Sequence, residues 1–217
     1  KIEAVYVFPL PHKAAVDGMT MQIGKRRIVG LIKRRAVARE IYEQALAQGQ
    51  TAALLEQERP NIFTQSVGNI APKQEIKIEI TYVDVLAYDM GTYEFHFPMV
   101  VGPRFIPGSP TSIPPALPAE LQGKTSRPAP NTDRVPDASR ITPPVMKPGQ
   151  RSGHDISLSV ALDAGVPVQG LKVINHKAAV EQSGASEARV TLDPADSIPN
   201  KDFVLKYDVV GDKPEMA

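Results

Sequence analysis

Asp155, Ser157 and Ser159 form the one spacing in this sequence that could hold a hard divalent cation, an Asp-x-Ser-x-Ser run with a carboxylate and two hydroxyls. Ile156, Leu158, Val160 and Leu162 alternate with them, and that period of two predicts a strand. At ~3.3 Å of rise per residue, Asp155 and Ser159 then stand roughly 13 Å apart. One cation with ligands at ~2.0–2.6 Å cannot bridge that gap, so no metal site is expected. His12, His96, His154 and His176 are scattered, with no second His or carboxylate at a ligand spacing, and they read as surface or strand-filling residues. Glu40 with Glu43, and Glu56 with Glu58, are carboxylate pairs inside short local segments, whereas acid–base catalysis needs opposed groups in a cleft. No glycine-rich phosphate loop or nucleophile elbow occurs. The sequence therefore reads as a chain that is not an enzyme, with no catalytic residue, no cofactor and no metal. A hydrolase assembled from distant residues is the weakest alternative, and it needs an exposed Ser-His-carboxylate cluster.

Charge is more informative. Lys25, Arg26, Arg27, Lys33, Arg34, Arg35 and Arg39 place seven cations within 15 residues with no acid between them. One reading is a solvated face paired in part with Glu40, Glu43, Glu56 and Glu58. The other is a candidate surface for a protein partner or for a polyanion such as an acidic glycan or lipopolysaccharide. Nucleic acid is not expected, because the net charge is only +1 and no aromatic residues interleave with the cations. The absence of cysteine excludes disulfides and thiolate metal sites. No run approaches the ~18 apolar residues of a membrane helix, so no membrane insertion by this chain is expected. No basic-then-apolar leader opens the sequence, and both ends read as boundaries within a longer protein.

The elements that would position these residues are mostly strands. Val37, Ile41 and Ala45 recur beside Ala38, Tyr42 and Leu46, which predicts one amphipathic helix ending at Gly49, with Arg35, Arg39, Glu40 and Glu43 on its polar side. Ala52–Leu55 reads as an apolar knot, and strands are expected near 2–8, 19–23, 28–32, 62–67, 76–82 and 92–97. Twelve of the 21 prolines fall in residues 102–150, which predicts a mobile or extended tether. Strand signals resume at Ile156–Leu162, Val168–Ile174, Ala188–Leu192 and Phe203–Val209. Asn61, Asn69 and Arg104 are expected to anchor turns through backbone hydrogen bonds.

Four stretches, EAVYVFPLPHKAAVDGMTMQIG, IVGLIKRRAVAREIYEQALAQGQTAALLEQERPNIFTQSVGNI, KIEITYVDVL and YEFHFPMVVGPRFIPG, resemble the VIT domain of vault and inter-alpha-trypsin inhibitor heavy chain proteins. They cover residues 3–108. The chain departs from the family in its first helical turn, where Arg34, Ala36 and Val37 replace a mixture of acidic and basic residues. The resemblance implies a mostly β fold, an antiparallel β-sandwich with one prominent α-helix and a C-terminal group of strands packing on it. Its organisation would be a VIT-like domain at 1–108, a Pro-rich flexible tether at 109–150, and a β segment at 151–217 leading toward a downstream von Willebrand A domain. The Asp-x-Ser-x-Ser run also matches that domain's metal-site pattern, but on a strand. The implied function is a non-catalytic interaction or adhesion module of a bacterial cell-envelope or secreted protein. Its partners would be a von Willebrand A domain of the same protein or an extracellular-matrix-like protein. The family usually places a strand before the first one here, so an open sheet edge and a homodimer through it are expected.

Overall fold

The computed structural model describes residues 1–102, 105–117, 119–151 and 153–209. The chain is mostly β and antiparallel. It divides into two compact units, one made of Lys1–Asp84 with Val101–Pro148, the other of Val85–Val100 with the described residues from Gly149 onward.

In the first unit β1 (Ile2–Pro9), β5 (Ile62–Ile70) and β4 (Ala52–Arg59) form one sheet in the order β1-β5-β4. A second sheet runs β3-β2-β6, from β3 (Arg26–Val29), β2 (Ala15–Ile23) and β6 (Ile76–Val83). Phe8, Leu55 and Phe63 of the first sheet meet Val16 and Tyr82 of the second around buried Leu10 and Ala14. In β6 the period of two holds residue by residue, with Ile76, Ile78, Ile80 and Tyr82 turned inward and Lys77, Glu79 and Thr81 outward. The expected knot at 52–55 is the start of β4. Its hairpin with β5 turns at Pro60-Asn61, where proline cannot extend the ladder.

Helix α1 (Arg35–Ala47) ends where Gly49 predicts it. Gly49 takes φ 76°, its amide donates to Leu46 O, and the Gln50 amide donates to Ala45 O, the paired bonds of a left-handed cap. Asn69 Nδ2 adds bonds to Leu46 O at 2.8 Å and Gln50 O at 3.0 Å, so this asparagine anchors backbone as expected. Arg104 lies outside the described residues, and for Asn61 it is the carbonyl that accepts a bond, from Leu10 N. The helix turns Tyr42 and Leu46 onto β5, where a Cβ on Gly68 would lie 2.5 Å from Leu46 Cδ2 and 2.9 Å from Tyr42 Oη. Gly68→Ala should therefore cost about 1–3 kcal/mol, read as a lower urea midpoint. An unchanged midpoint would mean that Leu46 swings aside freely.

The described residues of 101–148 group with this first unit by their contacts, whereas the composition predicts a tether at 109–150. Prolines bring no N–H to satisfy, and Thr and Asn side chains bond much of the remaining irregular backbone. Thr132 Oγ1 donates to Pro107 O and accepts from Val135 N, while Thr142 Oγ1 donates to Ala138 O and accepts from Ala129 N. A short helix, α2 (Ala138–Ile141), buries Ala138 and Ile141.

The second unit pairs two sheets, β10-β13-β8-β7 and β11-β12-β9. Its strands are β7 (Ala87–Asp89), β8 (Thr92–Phe97), β9 (Ser159–Asp163), β10 (Val168–Ile174), β11 (Ala178–Gln182), β12 (Glu187–Leu192) and β13 (Phe203–Val209). Val190, Leu192, Phe203 and Leu205 form the core between them. Strand β8, expected within the 1–108 domain, pairs with β13 from Phe97↔Phe203 to Thr92↔Asp208, which brings Phe95 and Phe97 into this core. The expected approach to a further domain, Phe203–Met216, is described only as far as Val209.

Candidate functional site

Arg35 and Arg39 lie four residues apart on α1 and so share one face. Glu56 and Glu58 lie two apart on β4, on the same face as buried Leu54. Arg35 Nε donates to Glu56 Oε1 at 2.9 Å, its Nη2 to Glu58 Oε2, and Arg39 Nη2 donates to Glu56 Oε1 at 2.6 Å. From α2, Arg140 Nη2 donates to Glu56 Oε2 at 2.8 Å and to Glu58 Oε1. Beside them Arg59 holds Asp137 by two bonds, at 2.9 and 2.8 Å. Three guanidiniums thus surround two carboxylates whose side chains are 6% and 0% exposed. These acids are charged partners held between cations, an arrangement for cross-linking α1, β4 and α2 rather than for proton transfer.

Arg35 and Arg39 of the candidate interface therefore face the sheet, so the expected polarity of the helix fails at these two positions, while Tyr42 and Leu46 turn inward and Glu40 and Glu43 stay exposed as expected. Val37 and Ile41 are exposed instead. The reason is that buried carboxylates can compensate guanidiniums, whose aliphatic stems pack as they reach inward. Lys25, Arg26, Arg27, Lys33 and Arg34 are exposed and make no ion pair with a described residue. Glu56 and Glu58 at alternate positions beside Leu54 were the signal for the cross-link. Arg140 carried none, because it comes from a distant proline-rich segment.

Burial alone would push the Glu56 carboxyl up, but bonds from Arg39, Arg35 and Arg140 outweigh it and hold the group below its ordinary range. The bond from Arg59 likewise lowers Asp137. Groups depressed on folding contribute stability that is complete above their unfolded values, about pH 4, and is lost as pH falls through the lower folded values. The urea midpoint should be flat from neutrality down to that point and fall below it. Glu56→Gln should flatten the acid limb, and an acid limb identical in both proteins would remove Glu56 as its source.

Asp155 and Ser157 precede β9, and only Ser159 lies within it, although the outward alternation at 155, 157 and 159 holds. Asp155 Oδ1 accepts from Arg151 Nη2 at 2.5 Å and Ser197 Oγ at 3.0 Å. Among the described residues no group of three or more His, Cys, Asp and Glu is placed to hold a metal ion. His12 and His154 are exposed, and His96 Nε2 lies 3.1 Å from Asp202 Oδ2. His176 is different: it is buried, with Nδ1 3.1 Å from Asp196 Oδ2 and Nε2 3.1 Å from the Lys201 carbonyl. Both ring nitrogens are engaged, so neither is free to act as a base. Its partners come 20 and 25 residues later in irregular segments, beyond the reach of any spacing rule.

With this geometry in place, residues 1–82 match the family described as the Vault protein inter-alpha-trypsin domain. Over these residues the chain is similar to a VIT domain. Among relatives, the Mus musculus protein mono-ADP-ribosyltransferase PARP4 is 43% identical over 102 residues, 47% of this chain and 5% of that protein. The von Willebrand factor A domain-containing protein 5A of Rattus norvegicus is 32% identical over 107 residues, 48% of this chain and 13% of that protein. The inter-alpha-trypsin inhibitor heavy chain H4 of Bos taurus is 34% identical over 94 residues, 42% of this chain and 10% of that protein. The chain thus spans a small fraction of the length of each relative. The cross-link of α1 to β4 lies wholly inside the matched residues 1–82, whereas Asp137 and Arg140 come from beyond them.

Proposed function

We propose that this chain is a non-catalytic docking module whose partner is a von Willebrand A domain of the same protein. The observation that supports it is the similarity of the VIT-like half to proteins named for their von Willebrand A domains. A place for docking is available on β1, which among the described residues pairs only with β5 and leaves Ile2, Val5 and Tyr6 exposed. An incoming strand can add there through backbone bonds, with side-chain pockets supplying specificity. The same edge would support a homodimer in the partner's absence. The ADP-ribosyltransferase name of one relative does not extend to this chain, since the shared stretch is 5% of that protein. Likeness to an inter-alpha-trypsin inhibitor heavy chain supports reading its location as the cell envelope or the extracellular space. The deciding experiment mixes the chain with the von Willebrand A domain encoded in its own gene and follows amide exchange. Slowed exchange in β1, abolished by Ile2→Lys with Val5→Lys, is expected; binding that leaves β1 exchange unchanged would relocate the docking surface, and no binding would end the proposal.

A second reading, a polyanion-binding surface for an acidic glycan, rests on Lys25, Arg26, Arg27, Lys33 and Arg34, which have no acidic partner among the described residues. Their summed field would favour a polyanion at low salt. Replacing Arg26, Arg27, Lys33 and Arg34 by Gln should shift elution from heparin to lower salt without moving the urea midpoint. Equal elution of both forms would sink this reading.

A further inference from the structure

The run Arg26-Arg27-Ile28-Val29-Gly30-Leu31-Ile32-Lys33-Arg34 brackets an apolar centre with a pair of cations at each end, and no acid occurs between Asp17 and Glu40. The fold keeps this centre in solvent. Ile28 is partly buried, but Val29, Leu31 and Ile32 are 66%, 78% and 83% exposed. Among the described residues strand β3 is an edge paired with β2 alone, and its outward face carries Arg27 and Val29 together. The Gly30 amide donates to Met19 O at 2.8 Å, fixing the base of the segment, and the chain then runs irregularly into α1. Side chains of this size are more often covered, and a run of them rimmed by polar groups marks an interaction surface.

Charge selects the occupant's sign, and the aliphatics select its kind. Five cations without acidic partners call for an anion. The exposed aliphatics sit on a strand edge and on the irregular link that follows it, so little of the fold surrounds them. Aliphatic side chains flanked by cations suit the boundary between acyl chains and anionic headgroups, where apolar burial and charge attraction act together. We propose that residues 25–34 dock peripherally on an anionic lipid surface, with Leu31 and Ile32 seated among the headgroups and the flanking cations against their phosphates. This deepens the polyanion reading and rests on it, the anion now being carried on an amphiphile. It is adsorption to one leaflet; among the described residues no helix is long and apolar enough to cross a membrane.

A soluble polyanion needs only the cations, while a lipid surface also rewards the aliphatics, and that difference gives the test. The unmodified chain, Leu31→Ser with Ile32→Ser, and Lys33→Gln with Arg34→Gln are compared in sedimentation with vesicles of phosphatidylglycerol and phosphatidylcholine. Vesicles of phosphatidylcholine alone, immobilised heparin and soluble polyglutamate are run in parallel. All four positions are exposed, so unchanged urea midpoints should certify folding. The chain should bind the anionic vesicles and not the neutral ones. The serine pair should lose about tenfold or more of vesicle affinity yet leave heparin at unchanged salt. The glutamine pair should weaken on both, by about fivefold per cation on vesicles. Vesicle binding that is absent, or insensitive to the serine pair, overturns the proposal, and retained heparin binding then leaves the polyanion reading standing. Loss of both removes both. Capture of polyglutamate that depends on Leu31 and Ile32, without vesicle binding, overturns it in favour of an acidic protein partner.

Discussion

Arg140→Met should destabilise the first unit by about 3 kcal/mol and expose residues 109–148 to protease. Arg140 contacts both Glu56 and Glu58, whose side chains are 6% and 0% exposed, so its loss leaves two nearly buried carboxylates short of a cation. Arg35 and Arg39 remain, 47% and 39% exposed, which limits the penalty below the full cost of an orphaned buried charge. Methionine keeps much of the aliphatic stem, and the loss measured is mainly that of the charge and its bonds. Arg59→Met is the control: its Asp137 pair is about one-third exposed, and its loss should cost about 1 kcal/mol or less. Urea unfolding gives the energies, and timed subtilisin digestion with fragment masses gives the site of cutting. If the unmodified chain is cut between 109 and 150 as fast as Arg140→Met, the segment behaves as the tether its composition suggested. If neither midpoint nor cutting responds to Arg140→Met, the cross-link holds nothing in place.

The sequence made the regular elements legible where one face was apolar and the other wet. The pattern in β6 and the Gly49 stop of α1 are both of this kind. It was silent on β11, whose Ala178–Gln182 run is an edge strand exposed along most of its length and so has no alternation to display. It misled on the helix face, because apolar periodicity assumes that burial excludes charge. Here Glu56 and Glu58 replaced aliphatics on the buried side of β4, so the arginines turned inward and Val37 with Ile41 turned out. Proline content leaves a related gap. Composition measures how little apolar surface residues 109–150 can bury, but not the ion pairs from Asp137 and Arg140 or the Thr132 and Thr142 side chains that bond the backbone.

The candidate interface was half legible for the same reason. Seven cations were readable as a cluster, but which of them had partners depended on Glu56 and Glu58, 17 to 23 positions away on another element. Only after Arg35 and Arg39 are assigned to Glu56 and Glu58 does the remaining group stand out as a surface bracketing Leu31 and Ile32. The exposure of those aliphatics could not be read either, since IVGLI has the composition of a buried strand.

In the second unit, Phe203→Ala should cost about 3–5 kcal/mol, a large share of the ~5–15 kcal/mol that stabilises a typical domain. Phe203 is fully buried, packs edge-on to Phe95 at 6.3 Å between ring centroids, and tilts against the His176 ring at 6.1 Å. Truncation removes these contacts and opens a cavity between the two sheets. How much of the penalty remains depends on whether the walls can close. Strand β13 is held on both sides, by β10 and β8, and β12 is likewise central between β11 and β9. Neither wall can shift without breaking two ladders, which puts the cost toward the upper end of that range. Phe203→Leu, which fills most of the volume, should cost about 1–1.5 kcal/mol. Val180→Ala on exposed edge strand β11 should stay within about 0.5 kcal/mol. Urea unfolding ranks the three, and hydrogen exchange should show β12 and β13 amides losing protection in Phe203→Ala. A cost below about 1 kcal/mol for Phe203→Ala would mean that the sheets collapse over the space, and the two central strands are then far less rigid than their pairing implies.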